Sequence, residues 1–377
     1  GDGVKGLKDL VKYCHKAGIE VVLEMPFSEG VSGLMVTECL RNYVMEYHVD
    51  GFRLMGANLP IRAMAQDLIL CRSKLFADTI PEDLLEQDYA YPHLFVYRDE
   101  FYYPLRKMLN HKEICLTDFV NQMRKQKKYA GFVNYAASND GFTLADVFMY
   151  SEKHNEANGE NNADGNDWNY SDNYGIEGPT RKKYIESLRK KQLRNAITAV
   201  FLAQGIPLLA AGDEIGNSQR GNNNAYCQDN AVGWVNWKND KKYASLQQFV
   251  RKMTAFRKAH PVLRMEEPMR MNDYKGLGYP DLSFHCDSAW TVGFSPNRQS
   301  VGMLYCGLYA DCEEMIYVAY NFHTGKQFLA LPKLPKSKKW YKVMDTGNEN
   351  GFLEKEMIMD AVQVEIAGMS IQILIGK

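Results

Sequence analysis

The chain has 377 residues, 45% hydrophobic and 24% charged, which suits a packed globular protein of one large and one small domain and excludes general disorder. Lys and Arg total 45 against 46 Asp and Glu, a net charge of −1, so nothing draws the chain to a polyanion. Basic runs such as RKKQLR read as solvated helix faces rather than nucleic-acid contacts, and no run of about eighteen apolar residues predicts a membrane span.

From Val4 to Ala17 apolar residues recur at 4, 7, 10, 11, 14 and 17, a helical spacing closed by Gly18. IEVVLEM (19–25) reads as a buried strand, VTECLRNYVMEYH (36–48) as a helix and VDGFRLM (49–55) as the next strand. Pro60 opens a helix through Cys71, and KLFAD (74–78) is a short strand. A strand near 94–97 and helices near 99–110 and 117–127 follow. GFVNYAASND (131–140) is a strand entering a polar loop, and an Asn/Gly-rich loop covers 152–178. A helix from Thr180 to Gln204, a strand over IPLLAAGDE (206–214) and a helix over 243–260 complete this region. Strands alternating with helices imply parallel βα units.

After about residue 265 the helical period disappears. SAWTVGFS, EEMIYVAYNF, KWYKVMD and VQVEIAGMSIQILI read as strands separated by turns. The predicted architecture is six parallel βα units over 1–265 followed by an antiparallel β-sandwich over 266–377. The eight cysteines show no CxxC or metal-finger spacing, so they read as reduced and mostly buried, with Cys306 and Cys312 pairing across a hairpin as the alternative. No metal or cofactor is expected. The opening Gly-Asp-Gly, entering a helix almost at once, reads as an internal piece of a longer protein, so a targeting segment would lie out of view.

In βα barrels chemistry sits at the carboxyl ends of the strands. Arg53 and Met55 share a strand face, Asp78 ends KLFAD, and Asn139-Asp140 ends NYAASND. Carboxylates converging with an arginine point to glycosyl chemistry, which needs paired carboxylates. The plainer alternative is strand-end polar residues satisfied by helix N-termini.

These stretches resemble the α-amylase clan, and within it the isoamylase-type starch and glycogen debranching enzymes. AGIEVVLEMPFSE resembles the first family motif and VDGFRLM the second, usually V-D-G-F-R-F-D. KLFADTIP matches the third, usually I-A-E-P-W-D, and NYAASNDGFTLADVF the fourth, where His-Asp precedes Gly-Phe-Thr-Leu. The long segments HNEANGENNADGNDWNYSDNYGIEGPT and PLLAAGDEIGNSQRGNNNAYCQDN are similar to loops of debranching enzymes. The resemblance implies a (β/α)8 barrel, here lacking its first two strands, and a C-terminal β-sandwich.

All four catalytic motifs depart from the family pattern. Met55 stands at the nucleophile position, Asp78 at the acid/base position one methylene short, and Asp140 keeps the third carboxylate with Asn139 as its neighbour in place of His. The first motif offers Glu24, Ser28 and Glu29. A thioether has no anionic oxygen, so Met55 cannot form the covalent glycosyl intermediate of a retaining enzyme. Arg53 then needs another partner, for which Asp140 and Glu24 are candidates.

By resemblance the chain is a noncatalytic isoamylase homologue that binds α-glucan and serves as a subunit beside a catalytic isoamylase, with a plastid location. The alternatives are an active enzyme hydrolysing α-1,6 branches and a purely structural barrel. Glucan contacts are expected from Arg53, Asn139, Asp140, Trp168, Asn224, Tyr226 and Asp229, with Tyr170, Tyr174, Asn222 and Asn223 nearby, because sugars bind flat aromatic faces and amide or carboxylate groups. The competing reading is that the asparagines only shape turns.

Overall fold

The computed structural model describes residues 3–86, 91–128, 130–291, 293–335 and 337–377. They form two compact units, one of residues up to 98 with 126–133 and 266–268, the other of 99–125, 134–265 and 269–377.

The first unit alternates helices and strands: α1 (Gly3–Lys16), β1 (Val22–Pro26), α2 (Gly33–Tyr47), β2 (Gly51–Met55), α3 (Ile61–Ala65), β3 (Lys74–Ala77), α4 (Glu82–Glu86) and β4 (Leu94–Tyr97). The Ser32 hydroxyl caps α2 by accepting from the Met35 amide at 3.2 Å. β1 to β4 pair in parallel in chain order, with Glu24 opposite Arg53 and Arg53 opposite Phe76. Phe52 and Leu54 are buried with Leu40, Leu75 and Leu94. The period-two pleat turns Arg53 and Met55 to the opposite face. Burying a Phe or Leu side chain is worth about 1.5–3 kcal/mol, so this alternation fixes which residues point away from the helices.

Residues 99–125 form α5 (Asp99–Leu109) and α6 (Leu116–Arg124), and β5 (Gly131–Asn134) ends at the start of the second unit's next segment. There α7 (Lys183–Leu202), β6 (Ile206–Pro207) and α8 (Ala244–Ala259) follow, and the Leu208 amide donates to the Asn134 carbonyl at 2.9 Å. The remaining strands are β7 (Leu282–His285), β8 (Ser300–Cys306), β9 (Met315–Asn321), β10 (Gln327–Ala330), β11 (Trp340–Asp345), β12 (Phe352–Met359), β13 (Gln363–Ile366) and β14 (Ser370–Gly376). They make a six-stranded sheet in the order β12-β11-β14-β9-β8-β7 and a two-stranded sheet of β10 and β13. Neighbouring strands in both sheets run antiparallel.

Both faces of the central strands are covered. Met303, Tyr305, Ile316, Val318, Ile371 and Ile373 join one core with α6, α7 and α8, while Leu304, Met315, Tyr317 and Leu374 join another with Leu329 and Val364 of the small sheet. The apolar run at 315–322 is therefore core.

Several predicted elements differ. The helix expected from Pro60 to Cys71 breaks after Ala65, because the Asp67 carboxylate accepts from the Ile69 and Leu70 amides at 2.9 and 3.0 Å and also holds Arg41. Such side-chain bonds compete with the helical ladder. The strand expected over 206–214 stops at Pro207, since the Ala210 amide donates to Asp213 at 3.0 Å in a tight turn. The described part of 288–295 is not a strand: Trp290 has φ 67° and its amide donates to His285 Nδ1 at 2.9 Å; Val292 lies outside the described residues. β7, β8, β10 and β12 are additional strands. All eight cysteines are free thiols, Cys306 and Cys312 included.

Candidate functional site

In the first unit the strand exits gather charge around one aromatic ring. Arg53 Nη2 donates to Asp78 Oδ1 at 2.5 Å and Nη1 donates to the Leu54 carbonyl at 3.0 Å. Its guanidinium lies 4.1 Å from the Tyr97 ring centroid, a cation–π contact. Asp78 thus takes the pairing role for which the sequence offers Asp140 and Glu24. Glu24 stands opposite Arg53 in the strand register, and Asp140 belongs to the second unit. The Asp78 side chain is 65% exposed and that of Arg53 12%, so the pair adds at most about 1 kcal/mol of stability. Its consequence is positional, because the arginine is held over Tyr97. Burial pushes the Tyr97 hydroxyl above its ordinary value, with Arg53 pulling the other way and Glu24 and Asp78 adding to the rise.

Met55 ends β2 half-buried beside Pro26, and its carbonyl accepts from the Phe27 amide at 2.8 Å. The next residue, Gly56, has φ +144°, and a Cβ there would stand 2.6 Å from the Phe27 carbonyl oxygen. The turn after Met55 therefore requires glycine. This cluster can bind hydroxyl groups and stack a ring, but the Met55 position offers no nucleophile.

In the second unit the Asn/Gly-rich loops interlock. Asn155, fully buried, donates to the Asp164 carbonyl at 2.9 Å and to Asn223 Oδ1 at 2.8 Å, and its own Oδ1 accepts from the Asn223 amide at 2.9 Å. Asn223 also donates to the Asn166 carbonyl and to Asn169 Oδ1. Asn222 donates to Asn158, which in turn donates to Asp164 at 2.7 Å. Asn222 and Asn223 are buried, so turn-shaping is the right account of them. Tyr174 is likewise internal, its hydroxyl donating to Asn110 at 2.8 Å. The Gly141 amide donates to the Asn223 carbonyl at 3.1 Å, which brings exposed Asn139 and Asp140 to this loop cluster. Asn224, half-exposed, donates to Asp164 Oδ2 at 2.9 Å. Trp168 and Tyr226 project from the surface at 68% and 73% exposure, and Asp229 accepts from the indole of exposed Trp234 at 3.0 Å.

Three supporting residues escaped the sequence reading. Arg106 is buried and donates to the carbonyls of Ala136, Asn169 and Phe142 at 2.7, 3.1 and 3.2 Å; within FYYPLRKML it looks like any charged helix residue. Asp146 accepts from the Ser218 hydroxyl at 2.5 Å and the Gln219 amide at 2.8 Å, and Asp213 accepts from the Leu144 and Ala210 amides. Burial pushes Asp146 up to about 6 and Asp213 up to about 7. Tyr97 escaped it as well, although an aromatic at the exit of a strand is a local signal that could have found it.

A carboxyl raised in the folded state keeps its proton there more tightly than when unfolded. It therefore favours folding below its ordinary range and loses that contribution as pH rises through the folded value. The stability of the wild type relative to Asp213→Asn is expected to fall by on the order of 2 kcal/mol between about pH 4 and pH 7. Urea unfolding of both proteins across that range measures it, and a pH-independent difference would rule it out.

Among the described residues no group of three or more His, Cys, Asp or Glu side chains is placed to hold a metal ion, and no helix is long and apolar enough to cross a membrane.

The chain is 31% identical over 353 residues to the glycogen operon protein GlgX homolog of Mycobacterium bovis, covering 72% of this chain and 48% of that protein. It is 28% identical over 420 residues to isoamylase 3, chloroplastic, of Oryza sativa subsp. japonica, covering 92% of this chain and 52% of that one. Among solved structures, pullulanase type I from Bacillus subtilis complexed with maltose superposes with a TM-score of 0.68 at 15% identity, covering 98% of this chain and 55% of that one. No protein-family model matches the chain. It spans about half the length of these relatives. Parallel βα units followed by antiparallel sheets, with a pullulanase-like superposition, define a (β/α)8-type barrel fold with a C-terminal β domain. The chain belongs to the isoamylase-type debranching family of the α-amylase clan.

Proposed function

We propose that this chain is part of an α-glucan-binding isoamylase homologue that does not hydrolyse its ligand and acts as a regulatory subunit beside a catalytic isoamylase in amylopectin synthesis. The observation that carries this is Met55 at the exit of β2, where the family carries its nucleophilic carboxylate, beside an Arg53 whose ion-pair partner is Asp78. Residues 1–265 are read as the partial barrel and 266–377 as the C-terminal β domain; the antiparallel strands from Leu282 onward support that partition. The Bacillus subtilis pullulanase complexed with maltose supports the ligand class, and the chloroplastic rice isoamylase supports a plastid location. The competing reading, an active α-1,6 debranching enzyme, is favoured by relatives named glycogen debranching enzyme and by the carboxylates retained at Asp78 and Asp140.

Glucan contact is assigned to Arg53, Asn139, Asp140, Trp168, Asn224, Tyr226 and Asp229. Exposed aromatics dominate such contacts, each stacked ring contributing about 1 kcal/mol. Full-length protein is expected to be retarded in affinity gels containing amylopectin, and Trp168→Ala with Tyr226→Ala to weaken that retardation by about tenfold. Equal retardation of wild type and double variant would remove these residues from the site.

The subunit role is tested by size-exclusion chromatography of the full-length protein and a catalytic isoamylase, alone and mixed. A new, larger species is expected, because related barrels can reuse a homo-oligomer surface and two linked binding surfaces raise the effective concentration of glucan. A mixture that elutes as the sum of its components, with unaltered activity on amylopectin, removes the subunit role.

A further inference from the structure

A cavity of about 170 Å³ opens in the second unit beside α7, outside the residues assigned to glucan. Its walls are apolar, with Phe148 and Leu193 buried and Met149 packed against the same core. The Tyr243 ring, 8% exposed, forms another wall. That ring has its place because residue 216 is glycine at φ +60°; a Cβ there would stand 2.5 Å from the ring. A dry cavity of about 150 Å³ holds one benzene molecule, so this space suits a single six-membered ring.

The lining is also cationic. Lys190 Nζ and Lys242 Nζ lie 5.8 and 5.4 Å from the Tyr243 ring centroid. Arg189 is 6% exposed, its fork fixed by donation to the Gly178 and Asn173 carbonyls at 2.6 and 2.7 Å. Its charge therefore stays fixed in the cavity wall. Against these three cations the lining offers one carboxylate, Glu186, 3.6 Å from Lys242 Nζ.

We propose that this cavity binds a small anion built on one six-membered ring, either a monosaccharide phosphate or an aromatic carboxylate. The ring enters the apolar space against Tyr243. The anionic group meets the Lys190 and Lys242 ammonium groups that flank this ring, a charge-assisted contact, with the Arg189 guanidinium adding positive charge to the wall. The assignment is independent of whether the protein hydrolyses or binds glucan.

Isothermal titration of the full-length protein with glucose 1-phosphate, 4-hydroxybenzoate, inorganic phosphate and glucose tests it. At least one ring-bearing anion is expected to bind about tenfold or more tightly than inorganic phosphate or glucose, and which one does so identifies the source. Lys190→Glu with Lys242→Glu is expected to weaken that binding at least tenfold, and the Lys→Gln pair to weaken it less, in line with the charge removed. Thermal melts of both variants verify that they fold. The proposal is overturned if neither ring anion binds below about 10 mM, if inorganic phosphate binds as well as the ring anions, or if the Lys→Glu pair binds unchanged.

Discussion

Purified full-length protein incubated with amylopectin or pullulan is expected to release no reducing ends. Retaining glycosidases split hydrolysis into formation and breakdown of a glycosyl–carboxylate bond, and the thioether of Met55 cannot form it. In a well-studied hydrolase, loss of the nucleophile alone costs about a millionfold in kcat. A second loss compounds the first: Asp78 is one methylene shorter than the family's acid, and misplacement by about 1 Å can cost roughly a hundredfold. Asp78 is also engaged with Arg53. Met55→Asp alone is therefore expected to restore little, because Asp78 and Asn139 still depart from the family pattern. Reproducible hydrolysis that vanishes in Asp78→Ala or Asp140→Ala would sink the noncatalytic reading and establish the debranching one.

Arg106→Met is expected to lower stability by about 3 kcal/mol, a drop of roughly 4–5 °C in apparent melting temperature. The guanidinium donates to three buried or half-buried stretches of main chain, at Ala136, Phe142 and Asn169, and stacks 4.1 Å over Tyr102. Met fills similar volume but donates nothing, so those carbonyls lose their partner, at about 1–3 kcal/mol for each that stays dry. The relief of burying one charge fewer offsets part of that cost. Because 136–142 lies within the fourth-motif segment and Asn169 adjoins Trp168, the same change is expected to weaken amylopectin retardation. Arg106→Lys, which keeps the charge but not the planar fork, should fall between the two. A melting temperature within about 1 °C of wild type would show that Arg106 does not hold these segments together.

What the sequence by itself determined is local in origin. Hydrophobic runs and helical spacing sufficed for β1 to β5 and for α1, α2, α7 and α8 to within a few residues, because each short element shows its period over a single window. The same locality made Arg53, Met55, Asp78 and Asp140 legible, since strand-end motifs are contiguous. The tertiary structure decided what depends on distant partners. It gave Arg53 to Asp78, 25 residues away, and broke the predicted helix at Asp67, whose carboxylate also answers to Arg41. It turned the asparagine loops into a scaffold, with Asn155 bonded to Asn223 across 68 residues, leaving Trp168 and Tyr226 outside. It buried β8, β9 and β14 on both faces, erasing the polar alternation by which strands are read. A buried polar group must find a partner wherever the chain returns to it, and the Arg194 bond to the Thr346 carbonyl, 152 residues on, is set by that return and not by any pattern near either residue.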